Sequence, residues 1–249
     1  MFRLTIIFII LIHSLPSPRA FSDDDIPDLV ILDLEGLIGE DQQGPYAKFF
    51  QHLVNEGHLK SWVVAPIRRA RRMFWNKKAH CLGPTSMQHF HEFDLDETDY
   101  TISTAFNEAS GYLYRSTQYM TNLTKDMPTI GTVGSGNLYG IQKDTYKAIS
   151  IRNYFRLLTL VQKNRLDAAY IIYPDIINIP KAAALTRKMT SARTLVWTGK
   201  EQIICHKDAP VNIAKISAFI AQSHKNGSLS TLLGNAYNVP TIGPSFLNQ

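Results

Sequence analysis

Residues 26–34, IPDLVILDL, read as a buried β-strand that ends at Glu35-Gly36. Beyond it, apolar residues follow Tyr46 at Phe49, Phe50, Leu53 and Val54, the spacing of one helical face, and Gly57 closes that segment. Trp62 to Val64 predicts a short strand. Pro66 suits the first turn of a helix that turns Ile67, Ala70 and Phe74 inward. Ala79 to Leu82 predicts another short strand, broken by Gly83-Pro84. Strand, helix, strand, helix, strand implies a parallel sheet covered by helices.

The middle of the chain repeats this grammar. Tyr112 to Tyr114 and Thr129 to Val133 predict strands, the second followed by Gly134-Ser135-Gly136. Ile151 to Val161 predicts a helix with Tyr154, Phe155, Leu158 and Val161 on one face. Ala168 to Tyr173 reads as a buried strand ending at Pro174. A helix follows near Lys181 to Met189, and Leu195 to Cys205 reads as extended. Two further helices, about Val211 to Ser223 and Ser228 to Tyr237, flank Asn226-Gly227. No solenoid period or low-complexity tract interrupts this succession of two α/β units with a helical tail.

Residues 1–22 have the layout of a secretory signal peptide. Arg3 precedes an apolar run from Leu4 to Ile12, and a polar, proline-containing stretch reaches Arg19. That run is too short to span a bilayer. Ala20 and Ser22 predict cleavage after Ser22, so the protein is expected in the periplasm as residues 23–249. The formal charge of +5 drops to about +3 once Arg3 and Arg19 leave, too mild to argue for nucleic acid. The cluster Arg68, Arg69, Arg71, Arg72, Lys77 and Lys78 reads as a solvated helix face. Cys81 and Cys205 are too isolated to form a metal motif.

Five stretches in order resemble the type II periplasmic binding proteins, in the branch of the polar amino-acid binding proteins. These are Gly44-Pro45-Tyr46 before a helix, Pro66-Ile67-Arg68-Arg69-Ala70 opening the next, and Asn164-Arg165-Leu166-Asp167-Ala168-Ala169 entering a strand. Ile204 to Pro210 is similar to the family's returning strand, and Asn212 to Leu233, with Gly227-Ser228 inside it, to its C-terminal helix pair. The resemblance implies a two-lobed Venus-flytrap α/β fold joined by two crossover strands. Residues 23–102 and 198–249 would form lobe 1, and 103–197 lobe 2, with crossings near Thr101 to Thr104 and Thr194 to Thr198. In that geometry the returning strand lies beside the short strand of lobe 1, leaving either a Cys81–Cys205 disulfide or two buried thiols.

In open α/β sheets, ligands sit beyond the carboxyl ends of strands, where helix N-termini favour anionic groups. That rule selects Glu35, Tyr46, Arg69, Thr85, Ser103, Ser135, Asn137, Tyr173 and Asp175. Arg69 offers a bidentate clamp for a carboxylate, Tyr46 and Tyr173 offer walls, and residues 134–137 an anion-accepting turn that lacks a nucleotide loop's lysine. His80, His89, His91 and Glu92 invite a metal reading, but spacing fixes no third ligand, so neither metal nor cofactor is implied. The chain departs from the amino-acid binders at two points. Residues 85–89, TSMQH, lack the arginine that grips an α-carboxylate, and Ile172 or Tyr173 stands where an aspartate holds the α-amino group, with Asp175 slightly beyond.

The resemblance therefore implies a monomeric binding protein that closes on a small polar solute, amino-acid-like or other, and presents it to a membrane permease or sensor receptor. Two alternatives stand beside it. One is an exported dehydratase-like enzyme using Glu35, Asp175 or His89 as general acid or base. The other is a module that has lost its solute and contacts only a partner protein.

Overall fold

In the computed structural model, residues 26–86, 97–116, 127–134, 138–189 and 193–240 are described. The expected leader, Ser135, Asn137, His89, His91 and Glu92 lie outside them. The elements run β1 (Leu29–Leu32), α1 (Pro45–Asn55), β2 (Trp62–Ala65), α2 (Ile67–Trp75), β3 (Cys81–Thr85), β4 (Tyr100–Ile102) and β5 (Asn107–Arg115). They continue with β6 (Thr129–Val133), β7 (Lys147–Ile151), α3 (Tyr154–Gln162), β8 (Ala168–Tyr173), α4 (Pro180–Lys188), β9 (Arg193–His206), α5 (Ile213–Lys225) and α6 (Ser228–Leu233).

The strands form one mixed α/β sheet in the order β2-β1-β3-β9-β5-β8-β6-β7, with β4 also on β9. In the first half, β1 pairs in parallel with β2 and β3. In the second, β6 pairs in parallel with β7 and β8. The parallel pairing of β1 with β2 and β3 is what the alternation of strands and helices implied. The chain crosses between the halves and returns, so β9 runs antiparallel to β3, β4 and β5. Its pairing passes from β5 to β3 and β4 between Glu201 and Gln202.

Each half is cored on both faces. In β1, Leu29 and Ile31 pack with Phe49, Phe50 and Leu53 of α1, while Val30 and Leu32 pack with Ala70 and Phe74 of α2. That division follows from strand alternation. Phe49 stacks on Phe106 with centroids 4.6 Å apart, and burying each such ring contributes about 1.5–3 kcal/mol. In the second half, Leu157, Leu158 and Val161 of α3 pack on Ala169 and Ile171 of β8. The opposite face holds Leu113, Ile130 and Tyr170. The Cys81–Cys205 disulfide joins β3 to β9 where the two residues face each other in register.

Two elements differ from the sequence expectation. β3 continues through Gly83-Pro84 to Thr85, because its register with β9 slips between Leu82 and Thr85 and the irregularity absorbs the proline's missing donor. The helix expected from Ile151 starts at Tyr154, where Asn153 caps it by accepting the Arg156 N–H at 2.8 Å. Residues 147–151 pair with β6 instead, with half-buried Ile149 and Ile151 alternating with exposed Ala148 and Ser150.

Candidate functional site

A cavity of about 410 Å³ lies between the halves of the sheet, within the range of small-molecule sites. The first half contributes the loop after β1 at Asp33 to Glu35, Arg68 and Arg71 of α2, and Thr85 and Ser86 at the end of β3. From the second come Thr132 to Gly134 at the end of β6, Tyr154 at the start of α3, and Ile172 near the end of β8 with Asp175 just beyond it. The joining strand β9 adds Trp197, Lys200 and Glu201. Most of these positions lie at carboxyl ends of strands, where the backbone turns away and leaves a crevice.

Two lining carboxylates are buried. Asp175 sits in a 3-10 turn after β8 and accepts a 2.9 Å hydrogen bond from the Tyr154 hydroxyl. Burial, and then the charge of Glu201, push it up to about 8, against the pull of that hydrogen bond. Glu201 accepts from the Tyr46 hydroxyl and, at 2.9 Å, from the Asn107 side-chain amide. Burial pushes Glu201 up to about 7, although both hydrogen bonds oppose it. Asn107 also donates to Ala236 O at 3.0 Å and accepts from the Asn238 N–H at 2.6 Å. Thus α1, β5, β9 and the segment after α6 all hold Glu201 in place.

The halves touch beside these groups. Glu35 Oε2 accepts the Tyr154 N–H at 3.0 Å, closing an orphan donor at the N-terminus of α3. Burial raises its pKa, and the Tyr154 N–H lowers it in part. Gly36 has φ +86, and a Cβ there would stand 2.2 Å from the Asp175 carbonyl oxygen. Only glycine permits this backbone approach at that φ.

Of the residues selected from sequence, Glu35, Thr85 and Asp175 line the cavity together. Arg69 is exposed and outside the lining, because the turn of α2 directs Arg68 and Arg71 to it instead. Tyr46 is fully buried behind Glu201, on the face of α1 that packs against Phe50 and Phe106. Ser103 is also buried: it bonds Thr104 O and Ile203 N, holding the β4–β5 link against β9. Tyr173 alternates away from cavity-lining Ile172, and its hydroxyl lies 3.0 Å from that of Tyr114. His80 is half-buried, and among the described residues no group of three or more His, Cys, Asp or Glu is arranged for a metal.

Sequence reasoning missed Glu201, Asn107 and Tyr154. For Glu201 a signal existed: alternation along β9 places it on the face of Ile203 and Cys205, both fully buried. A carboxylate on a buried strand face needs a partner or a purpose.

No family model matches the sequence, and no curated protein is similar to it. Solved structures share its fold. The GluR0 ligand-binding core in complex with L-glutamate matches with TM-score 0.62 and 12% identity, over 89% of this chain and 100% of that one. AncCDT-1, an ancestral amino acid-binding protein and precursor of cyclohexadienyl dehydratase, matches with TM-score 0.60 and 13% identity, over 84% and 94%. An arginine 3rd transport system periplasmic binding protein from Legionella pneumophila matches with TM-score 0.58 and 12% identity, over 85% and 100%. At such identities the likeness is one of fold, that of the type II periplasmic binding proteins. Among the described residues no helix is long and apolar enough to cross a membrane.

Proposed function

We propose that the protein is an exported solute receptor that closes on a small polar solute and presents it to a membrane transporter or sensor. The observation that carries this reading is the cavity itself, lined from both halves, with buried carboxylates in its wall. Lobe 1 comprises residues 23–102 and 198–249, lobe 2 comprises 103–197, and the leader is removed near Ser22. Glu35, Thr85 and Asp175 contact the solute; Tyr46, Ser103 and Tyr173 position what surrounds it. A solute touching both lobes favours the closed form, because only that form makes both sets of contacts.

A second reading, an enzyme, is favoured by Asp175. A carboxyl group that titrates at about 8 is a proton donor at neutral pH, and one structure of this fold is named as a precursor of cyclohexadienyl dehydratase.

The test is a thermal-shift screen of the purified protein against amino acids, amines, organic acids and sugars. A solute at a hundred times its Kd stabilises the folded form by about 2.7 kcal/mol, which raises the Tm by roughly 5–11 °C in a chain of this size. A saturable rise without consumption of the compound supports the receptor; consumption establishes the enzyme. No response from any class counts against both.

A further inference from the structure

Among the described residues, two side chains in the cavity wall have no counter-ion. Asp175 and Glu201 are 5% and 8% exposed, and their donors are all neutral: the Tyr154 hydroxyl and its own backbone N–H for Asp175, the Tyr46 hydroxyl and the Asn107 amide for Glu201. Both bonds to Glu201 fall on Oε2, so among the described residues Oε1 accepts none. The salt bridge found among those residues is Lys77–Asp208, on the surface. Arg68 and Arg152 line the cavity but are exposed, and Lys200, half-buried next to Glu201 in β9, makes no ion pair with it. Arg71 is buried but already engaged within the protein.

We propose that Asp175 and Glu201 together seat a cationic group of the solute, the ammonium or guanidinium of an organic cation. This rests on the reading of the cavity as a solute site and names the chemistry of its ligand. A buried carboxylate is costly unless it is paired or protonated, and a cationic solute would supply the pairing charge. An ammonium brings three donors and a guanidinium five, enough to satisfy Glu201 Oε1 and the open lone pairs of Asp175. A hard metal ion requires six or more oxygen ligands, and no group of three acidic or histidine side chains is gathered here among the described residues. Tyr139 and Trp197, with ring centroids 5.3 Å apart, line the same cavity, and aromatic rings favour a cation placed over their faces.

Without a cation, the pair would hold a proton instead. The groups acting on Asp175 are Glu201, Tyr154 and Glu35; those acting on Glu201 are Tyr46 and Asn107. With Asp175 at about 8 and Glu201 at about 7, binding a cation near neutral pH releases a proton, and affinity falls by up to about tenfold per unit of pH on acidification.

The experiment is isothermal titration calorimetry near neutral pH in two buffers of different ionisation heat. The probes are putrescine, agmatine, lysine and arginine, set against glutamate, succinate and glucose. At least one cation is expected to bind with a buffer-dependent heat that reports proton release. Glu201→Gln and Asp175→Asn, which keep their hydrogen-bond acceptors, are each expected to weaken it about thirtyfold or more and to reduce the buffer dependence. Their Tm in mild acid reports whether they fold. Binding of glutamate, succinate or glucose but of no cation overturns this inference and leaves the receptor reading standing. Cation binding that neither variant weakens overturns it as well. Failure of every probe at millimolar concentration counts against both.

Discussion

The buried carboxylates make a prediction about stability that needs no ligand. An acid whose folded pKa lies above its unfolded value stabilises the fold at low pH and loses that contribution as pH rises through the folded pKa. For Asp175 the window runs from the ordinary value, 3.8, to about 8. Between about pH 5.5 and pH 8, linkage assigns it a loss of ~3 kcal/mol. Glu201, at about 7, adds a loss of the same sign that is partly shared, since its charge is one cause of the Asp175 value. Asp33 and Glu35 are raised as well and act in the same direction, whereas surface Asp208 is lowered by Lys77 and acts in the opposite one only at more acid pH, outside this interval. At roughly 2–4 °C per kcal/mol, the Tm of the ligand-free protein should fall by roughly 6–12 °C over that interval. Asp175→Asn keeps an acceptor for the Tyr154 hydroxyl and removes the charge, so it should flatten the curve and exceed the parent in Tm at the alkaline end. Differential scanning calorimetry at several pH values measures both. A parent Tm that stays level across the interval, or an Asn variant destabilised equally at both ends, would refute the claim that these carboxylates lack a counter-ion.

Three other perturbations test the surrounding structure. Gly36→Ala places a Cβ 2.2 Å from the Asp175 carbonyl oxygen at a φ of +86, so it should cost more than about 2 kcal/mol in chemical denaturation or hold the halves apart, seen as a larger radius in X-ray scattering. Glu35→Ala leaves the Tyr154 N–H without its acceptor and should cost about 1 kcal/mol, with Glu35→Gln recovering most of it. Replacing Cys81 and Cys205 together by alanine opens a link between residues 124 apart and should cost roughly 2–5 kcal/mol; reduction of the parent should approach the same midpoint.

How much of this was legible in the sequence depended on what sets each feature. β1, α1, β2, α2, β6 and β8 follow from local pattern, because apolar runs and period-3.6 faces decide their burial. β7 escaped detection because only Ile149 and Ile151 mark its buried side, and a helical apolar run begins three residues later. The direction of β9 and the mixed character of the sheet depend on where a returning chain docks, which the pattern of β9 itself does not encode. The site divides in the same way. Glu35, Thr85 and Asp175 were reachable from the rule that ligands gather at strand ends. Arg69 was displaced from that set by helical phase: of the four arginines at 68–72, Arg68 and Arg71 fall on the cavity-facing stripe, and a shift of one position decides which reach it. Glu201 and Asn107 lie opposite each other in the register of β9 and β5, a pairing between residues far apart in sequence.

That pairing also bears on how the protein works. Glu201 stands where β9 changes partners, and Asn107 opens the strand that leaves the first half. Phe106 N bonds Glu201 O, and Ile203 N bonds the Ser103 hydroxyl, so both chain crossings are tied together at this point. A chain selected for stability alone would place glutamine here: Tyr46 and Asn107 would keep an acceptor, and the desolvation of a charge would vanish. The retained carboxylate makes sense if its charge is used. A cation seated against Glu201 and Asp175 would act where the halves join, so in the proposed receptor the interaction that holds the solute would also bias the strands that link the halves. A general acid would use the same proton affinity differently, releasing its proton to a leaving group and recovering it in each cycle. A receptor releases a proton once, on binding, and keeps its solute chemically intact. Proton release that matches the number of cations bound, with no new species formed, therefore separates the two uses of one buried pair.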